Sequence, residues 1–366
     1  MQITMVREAI LPAAVIIGSV VERRQTLPIL GNVLVHVFEG GVGLTATDLE
    51  VEVKTTAAAE TIGEGEFTVP AKKFLDICRT LPEAARIVVR VEEERADIRS
   101  GRSRFLLGTL PAADYPSIEG TGAEATFEVG QGVLKRLFDM TAFSMAQQDV
   151  RYYLNGLLVE LSQGKIRAVA TDGHRLALGE AGADIGQEAE RQVLLPRKAV
   201  MELSRLLDYG EAIVTIELTS SLARFRLGTS VFTTKLIDGR FPDYEKVIPR
   251  SADKTAIVDR EMFRSALARA SILSTEKYKG IRLTFDEGSL RLQAHNPEQE
   301  EAEDELEIDY EDTALSIGFN VGYLLDILNV LESEKVALDL SSTNTSTVVR
   351  VPGDEGCLYV VMPMRL

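Results

Sequence analysis

Cysteine, histidine and positive charge are in short supply in this 366-residue chain. The two cysteines, Cys78 and Cys357, can form neither a disulfide framework nor a four-cysteine zinc site. That usage fits a reducing, cytoplasmic compartment. Only His36, His174 and His295 could serve imidazole chemistry. No apolar run approaches the ~20 residues that span a bilayer, so no membrane association is expected. The start, Met-Gln-Ile-Thr-Met-Val-Arg, lacks the long apolar stretch of a signal peptide. There is no G-x-x-x-x-G-K-[ST] segment, and Gly40-Gly41-Val42-Gly43 alone is a weak phosphate loop. No metal or cofactor is implied. The 40 Lys and Arg fall short of the 56 Asp and Glu, for a net charge of −16. Taken alone, that sum argues against nucleic acid, because phosphate contacts need cations. Binding depends on where the charges sit, however, and not on their total.

What is present is a threefold repeat. Leu44-Thr45-Ala46-Thr47-Asp48 resembles Val169-Ala170-Thr171-Asp172, an interval of 172 − 48 = 124, and Leu292-Gln293-Ala294-His295-Asn296 follows at 296 − 172 = 124. Val69-Pro70-Ala71-Lys72-Lys73-Phe74-Leu75 resembles Leu195-Pro196-Arg197-Lys198-Ala199-Val200, and Phe319-Asn320-Val321-Gly322-Tyr323-Leu324 is the third copy. Proline at a first helical position, or asparagine at an N-cap, opens a helix. Asp114-Tyr115-Pro116 lies 126 residues before Pro242 of Arg240-Phe241-Pro242-Asp243-Tyr244, and both read as joins between repeats. These intervals predict three domains, 1–122, 123–250 and 251–366. Apolar residues at helical spacing predict helices over 7–20, 131–145 and 259–273, and a second set over 71–80, 197–208 and 321–332. Alternating stretches such as Arg86–Val91 and Ala212–Glu217 predict antiparallel strands between them. The class is α+β, with one helix and several strands per unit, two units per domain and six per chain.

The charges are sorted along this repeat. Arg23 and Arg24, Lys72, Lys73 and Arg79, Lys135 and Arg136, Arg197, Lys198 and Arg205, and Arg260, Arg264 and Arg269 lie on or beside five of the six helices. This predicts a basic helical face on an acidic body. The densest acid, Glu298 to Glu305, falls at a strand position in the third repeat. Arg99-Ser100-Gly101-Arg102-Ser103-Arg104-Phe105 in the first is its opposite. Unlike ends suggest head-to-tail association, which closes into a ring when the rotation allows. Helices packed roughly 10 Å apart leave about 9 Å inside a circle of six, once a helix width of roughly 10 Å is subtracted. Twelve leave about 28 Å, enough for a B-form duplex roughly 20 Å wide. A dimer could encircle DNA where a monomer could not.

The strings themselves resemble a known family, the beta subunits of bacterial DNA polymerase III, or bacterial sliding clamps. The resemblance covers the whole chain. It rests on Thr26–Asn32, Gln148–Gly156, Ala170-Thr171-Asp172-Gly173-His174-Arg175-Leu176, Asp238–Tyr244, Asn296–Glu303 and the ending Tyr359–Leu366. It implies a DNA-clamp fold: three similar domains, each with two helix-plus-antiparallel-strand units, closing as a head-to-tail dimer into a ring. It implies a non-enzymatic processivity factor that encircles duplex DNA. The partners implied are the polymerase III catalytic subunit, the clamp loader, and other polymerases and repair proteins that carry clamp-binding peptides.

Three sites follow from the resemblance. DNA contacts map onto Arg24, Lys72, Gln148, Tyr152 and Tyr153. Lys72 stands where members of the family carry arginine, and Gln25 where they carry proline. A pocket for partner peptides maps onto Arg151, Leu154, Thr171, Gly173, His174, Arg175, Leu176, Pro242, Val247, Asn320, Tyr323, Ser346, Val360, Val361, Met362, Pro363, Met364, Arg365 and Leu366. Lys246 and Asn344 beside it replace arginine and valine. The dimer interface maps onto Lys73, Arg102, Arg104, Phe105, Leu107, Ile272, Leu273, Glu298, Glu300 and Glu301.

Two other functions compete. Asp172 and His174, with Arg175, invite a hydrolase reading, but the equivalent turns read Asp48-Leu49-Glu50 and Asn296-Pro297-Glu298. A repeated turn explains all three. A purely structural assembly protein that never meets DNA is the second alternative.

Overall fold

One order of elements occurs three times in the computed structural model, which describes residues 1–21, 27–118, 120, 122–185, 190–249, 252–273 and 279–365. Arg23, Arg24, Gln25 and Leu366 lie outside the described residues. The first run is β1 (Gln2–Val6), α1 (Arg7–Val20), β2 (Asn32–Phe38), β3 (Gly41–Thr47), β4 (Val51–Ala58), β5 (Glu60–Ile62), β6 (Gly65–Pro70), α2 (Ala71–Thr80), β7 (Arg86–Glu92), β8 (Arg95–Ser100) and β9 (Ser103–Gly108). The second is β10 (Ala125–Gly130), α3 (Gln131–Thr141), β11 (Gly156–Ser162), β12 (Lys165–Thr171), β13 (Arg175–Gly182), β14 (Arg191–Pro196), α4 (Arg197–Leu206), β15 (Ile213–Leu218), β16 (Leu222–Leu227) and β17 (Ser230–Lys235). The third is β18 (Lys254–Asp259), α5 (Arg260–Ala270), β19 (Gly280–Asp286), β20 (Ser289–His295), β21 (Glu301–Glu307), β22 (Leu315–Asn320), α6 (Val321–Val330), β23 (Lys335–Leu340), β24 (Thr347–Arg350) and β25 (Cys357–Val361). Each run is strand, helix, three strands, then the same again; β5 is an addition confined to the first.

Helices α1 and α2 have the predicted spans. The other four stop two to four residues early, and 142–144 and 271–273 tighten into 3₁₀ turns. Pro70 and Pro196, the prolines of the predicted helix openings, stand immediately before α2 and α4, each as the last residue of a strand, β6 or β14, at one edge of its sheet. An edge position suits proline, which has no N–H to give to a ladder. Asn320 caps α6 as expected, its side chain accepting from the Gly322 N–H, and Asp259 caps α5 by accepting from Met262.

The helices bury one stripe each. Phe263, Ala266, Leu267 and Ala270 of α5 enter a core with Leu283, Phe285 and Leu292 of the sheet and Leu324 and Ile327 of α6. Each such large side chain contributes roughly 1.5–3 kcal/mol on burial.

The sheets do not respect the repeats. One eight-stranded sheet runs β10-β15-β16-β17-β4-β3-β2-β6, and another runs β14-β11-β12-β13-β25-β24-β23-β18. In the first, β17 pairs antiparallel with β4, setting Phe232 opposite Val53 and Thr234 opposite Val51. In the second, β25 pairs with β13, setting Val361 opposite Arg175 and Tyr359 opposite Ala177. The remaining sheets are β5-β1-β7-β8-β9 and β21-β20-β19-β22, ending on β9 and β21. The chain accordingly divides into two compact units, Met1–Gly132 with Met201–Leu236, and Val133–Val200 with Ile237–Leu366. The central run is shared between them, because each of its half-sheets is completed by a neighbouring run.

The Asp259 cap gives a local test. Asp259→Ala is expected to lower the stability of the second unit by about 1 kcal/mol, read as a shift in urea midpoint. Asp259→Asn, which keeps an acceptor, is expected to stay within a few tenths of wild type.

Candidate functional site

The second unit holds an apolar cavity of about 200 Å³ where β25 joins β13. Its first wall is the turn between β12 and β13. Thr171 Oγ1 donates to the Arg175 carbonyl at 2.6 Å and accepts from the Gly173 N–H at 3.1 Å. Asp172 Oδ1 accepts from the His174 and Arg175 N–H groups at 2.9 and 3.0 Å. Gly173 has φ +89°, and a Cβ there would lie 3.1 Å from the Arg151 guanidinium, so the turn favours glycine. Arg151 is held in turn by Asp149, with Nε at 3.0 Å and Nη2 at 2.8 Å. That guanidinium pulls the Asp149 carboxyl down to about 2.

The other walls are the segment after β17 and the end of β25. Pro242, Tyr244 and Val247 come from the former, Val360 and Met362 from the latter, with Leu154 and Leu176 as floor. Tyr244 is fixed from behind: its hydroxyl donates to Glu160 Oε2 at 2.6 Å and accepts from Arg167 Nη1 at 2.7 Å. Burial, and then the Glu160 carboxylate, push the phenol up to about 12, so it stays neutral. Arg175 ties the second and third runs together. It pairs with Asp172 at 3.1 Å and Asp326 at 2.5 Å, and its guanidinium lies 4.5 Å from the centre of the Tyr323 ring. The cavity thus has rigid charged supports and an apolar lining. That suits one or two buried side chains of a peptide.

Of the residues predicted for this pocket, Arg151, Leu154, Thr171, Gly173, Arg175, Leu176, Pro242, Val247, Val360 and Met362 line one cavity. His174 is exposed outside it, and Asp172 is occupied by the turn and by Arg175, which leaves the hydrolase reading without a free acid. Tyr323 supports Arg175, Asn320 caps α6, and Val361 is fully buried in the core. Ser346, Pro363, Met364 and Arg365 do not line the cavity. The segment after β25 is pinned at this join: the Met362 N–H donates to the His174 carbonyl at 3.0 Å, and the Met364 N–H to the Gly318 carbonyl at 2.7 Å. Tyr153, expected at DNA, is a pocket wall, as are Asp243 and Tyr244, which sequence reasoning did not place there. The repeated proline join was the signal for the last two. Lys246 is turned to Asp243 at 2.8 Å.

Of the predicted DNA contacts, Lys72 and Gln148 are exposed, and Tyr152 is 56% exposed beside Tyr153, with ring centres 5.8 Å apart. The basic helical face is narrower than expected. Lys135 pairs with Asp139, Arg205 with Glu202, Arg264 with Glu261 and Arg269 with Asp304, while Arg197 and Arg260 donate to carbonyls. A side chain i, i+3 or i, i+4 from a carboxylate is satisfied locally. Lys72, Lys73, Arg79 and Arg136 remain exposed.

The predicted interface residues fall on two sheet edges. Arg104, Phe105 and Leu107 lie on β9, with Arg102 in the turn before it; Glu301 begins β21, with Glu298 and Glu300 just ahead. Arg99 and Arg104 both grip Asp97, at 2.9 and 3.1 Å, and lower its carboxyl to about 2. In the protomer Leu107 is buried against its own sheet, and Leu106 is the exposed leucine of β9. Lys73 is exposed on α2, and Ile272, at 78%, is among the most exposed large apolar side chains, with Leu273 half-buried beside it.

Comparison with known proteins gives one consistent result. Three family models match in order: the N-terminal domain of the DNA polymerase III beta subunit over residues 1–119, the central domain over 128–243 and the C-terminal domain over 245–365. A beta sliding clamp of Pseudomonas putida is 51% identical over 100% of both chains, and that of Escherichia coli K12 is 47% identical over 100% of both. The crystal structure of the DNA polymerase III beta subunit from Pseudomonas aeruginosa superposes with a TM-score of 0.97 at 49% identity, covering 100% of each chain. A second structure of the clamp from that organism, bound to griselimycin, also gives 0.97 at 49% identity and full coverage of both.

The Arg151–Asp149 pair can be tested directly. A carboxyl with a depressed pKa keeps its ion pair above the ordinary value near 4 and loses it only as pH falls through about 2. Arg151→Ala is expected to return the Asp149 titration toward 4, read from its side-chain carboxyl signal by NMR. An unchanged midpoint would assign the shift to other donors.

Proposed function

The chain belongs to the DNA polymerase III beta-subunit family, the sliding clamps, and from that premise we propose how its own residues close the ring, meet DNA and receive partners. The family is non-catalytic. Its members act as dimers on duplex DNA and confer processivity on the replicative polymerase, with the clamp loader and other clamp-binding proteins as further partners. We place the protein in the cytoplasm: both thiols are free and buried, and among the described residues no helix is long and apolar enough to cross a membrane. Domains at 1–122, 123–250 and 251–366 are part of the same reading, supported by the three runs of elements.

The observation that carries the assembly is the rule by which strands join. The last strand of the second run, β17, pairs with the fourth strand of the first, β4; the last of the third, β25, pairs with the fourth of the second, β13. The last strand left over is β9, and the fourth strand left over is β21. Joining β9 of one protomer to β21 of its partner, and the converse, completes the pattern head to tail with two equivalent contacts. The register can be carried over. β17 and β9 correspond at 230 − 103 = 127, and β21 and β4 at 301 − 52 = 249, so the Lys54–Val231 pair becomes Glu303 opposite Arg104. Ile272 and Leu273 supply apolar anchors beside it, with Lys73, Arg102, Glu298, Glu300 and Glu301 at the rim.

DNA is met lightly. Lys72 offers a phosphate contact, as does Arg24 by family resemblance, while Gln148 and Tyr152 offer neutral hydrogen bonds and a stacking face. Few phosphate contacts give weak, salt-sensitive binding, so retention is topological. Partners dock by a short peptide in the cavity around Leu154, Leu176, Pro242, Val247, Val360 and Met362. A few anchors at roughly 1.5–3 kcal/mol each, less ordering costs, give affinities near micromolar, about 8 kcal/mol.

Two experiments test this reading. Arg104→Cys combined with Glu303→Cys is expected to yield covalent dimers on oxidation, while Arg104→Cys with Ala302→Cys, facing opposite sides of the strand, is not. Oxidised after loading onto nicked circular DNA, the first variant is expected to survive a salt wash and to leave when the circle is cut. Monomers after oxidation, or equal retention on linear DNA, would overturn the ring. Deleting residues 362–366 is expected to weaken binding of a Gln-Leu-x-Leu-Phe-type peptide at least tenfold by calorimetry, with an unchanged melting curve because β25 is intact. Wild-type affinity in that variant would remove the tail from the pocket.

A further inference from the structure

The first unit repeats the framework of the pocket where β17 joins β4, down to single hydrogen bonds. Thr47 Oγ1 donates to the Val51 carbonyl at 2.8 Å and accepts from the Leu49 N–H at 3.0 Å, as Thr171 does with Arg175 and Gly173. Asp48 Oδ1 accepts from the Val51 N–H at 2.7 Å, as Asp172 does from Arg175. The Lys235 N–H donates to the Glu50 carbonyl at 2.9 Å, as Met362 does to His174 at 3.0 Å. Thr233 stands opposite Glu52 where Val360 stands opposite Leu176. Pro116-Ser117-Ile118 takes the place of Pro242-Asp243-Tyr244. A cavity of about 390 Å³ lies here too, lined by Leu49, Ile118, Ser221 and Lys235 among others.

The framework is shared, but the lining is reversed in character. Leu49 occupies the position of Gly173 and keeps its left-handed backbone, with φ +77° against +89°. A leucine there is strained, and its side chain lines the cavity, where Gly173 has no side chain and the Arg151 guanidinium stands close instead. Glu52 replaces the pocket floor Leu176. Its side chain is 3% exposed and accepts from Lys54 Nζ at 2.9 Å and from the Ile118 N–H at 3.0 Å. Lys235 replaces Met362, and Thr233 replaces Val360. An apolar anchor entering this cavity would cover the Lys235 ammonium group without replacing its water, which is unfavourable, and beneath it would meet the buried ion pair of Glu52 in place of the apolar Leu176 floor.

We infer that this second copy of the pocket is closed to the partner peptide by Leu49, Glu52 and Lys235, and that these three residues limit each protomer to one peptide. The inference rests on the peptide pocket proposed above. It makes the three residues specificity determinants that never touch a bound partner.

The test is calorimetric stoichiometry on the full chain with a Gln-Leu-x-Leu-Phe-type peptide. Wild type is expected to bind one peptide per protomer. Leu49→Gly with Glu52→Leu and Lys235→Met is expected to bind two, and adding the 362–366 deletion to that variant is expected to leave one. Because Glu52 is buried, Leu49→Gly with Lys235→Met serves as a second variant that spares the core. It is expected to show a second site at least tenfold weaker than the first. Two sites in wild type, or one site in both variants with wild-type melting curves, would overturn the inference. No binding by wild type would instead sink the pocket itself, and the inference with it.

Discussion

A β-strand exposes a row of N–H and C=O groups along each edge, and in a folded protein another strand or water must satisfy them. Each half-run of this chain builds only a short sheet and leaves such an edge open. The chain answers in the same way each time, laying the last strand of one run against the fourth strand of the run before. This pairing fuses runs into eight-stranded sheets and divides the central run between two compact units. It also leaves β9 and β21 over, the two edges proposed above as the point of closure. The charge distribution agrees. Arginines cluster at β9 and carboxylates at β21, and each set is partly neutralised within its own protomer by Asp97, Arg269 or Arg291. Such charges steer and select a partner more than they bind it.

The pocket follows from the same pairing. Joining β25 to β13 brings the end of one run onto the β12–β13 turn of another, and the linker after β17 closes the third side. Nothing in the pocket is a specialised element; its turn, closing strand and linker each have a counterpart where β17 joins β4. Character comes from substitutions on a fixed frame. Glycine at 173 lets Arg151 approach, leucine at 176 makes a dry floor, and methionine at 362 supplies a deformable rim. The frame that makes an apolar cavity at one junction makes a larger and more polar one at the other.

Much of this was legible in the sequence. The intervals of 124 to 126 residues fixed the threefold repeat, since a repeated unit must recur at nearly constant spacing. Helical periodicity located all six helices, because a one-sided apolar stripe survives in one dimension. Long strings from Gln148–Gly156 to Tyr359–Leu366 carried the family resemblance and, with it, ten residues of one cavity.

Tertiary structure alone decided the rest, where partners lie far apart along the chain. Whether a helix arginine is left free or meets a carboxylate depends on what packs beside it, so Arg269 reads as a free cation until Asp304, on another element, is placed next to it. Tyr153 and Tyr152 are adjacent in sequence and similar in chemistry, yet one walls the pocket and the other is exposed; a backbone turn makes that choice. Leu107 and Leu106 divide in the same way by strand alternation, which no composition reveals at an edge. The sequence by itself determined the repeat, the element order and the family, because those are written in spacing and identity. The joining of β17 to β4 and of β25 to β13, and the pocket that the second of these makes, required the fold, because hydrogen-bond partners some 180 residues apart leave no local trace.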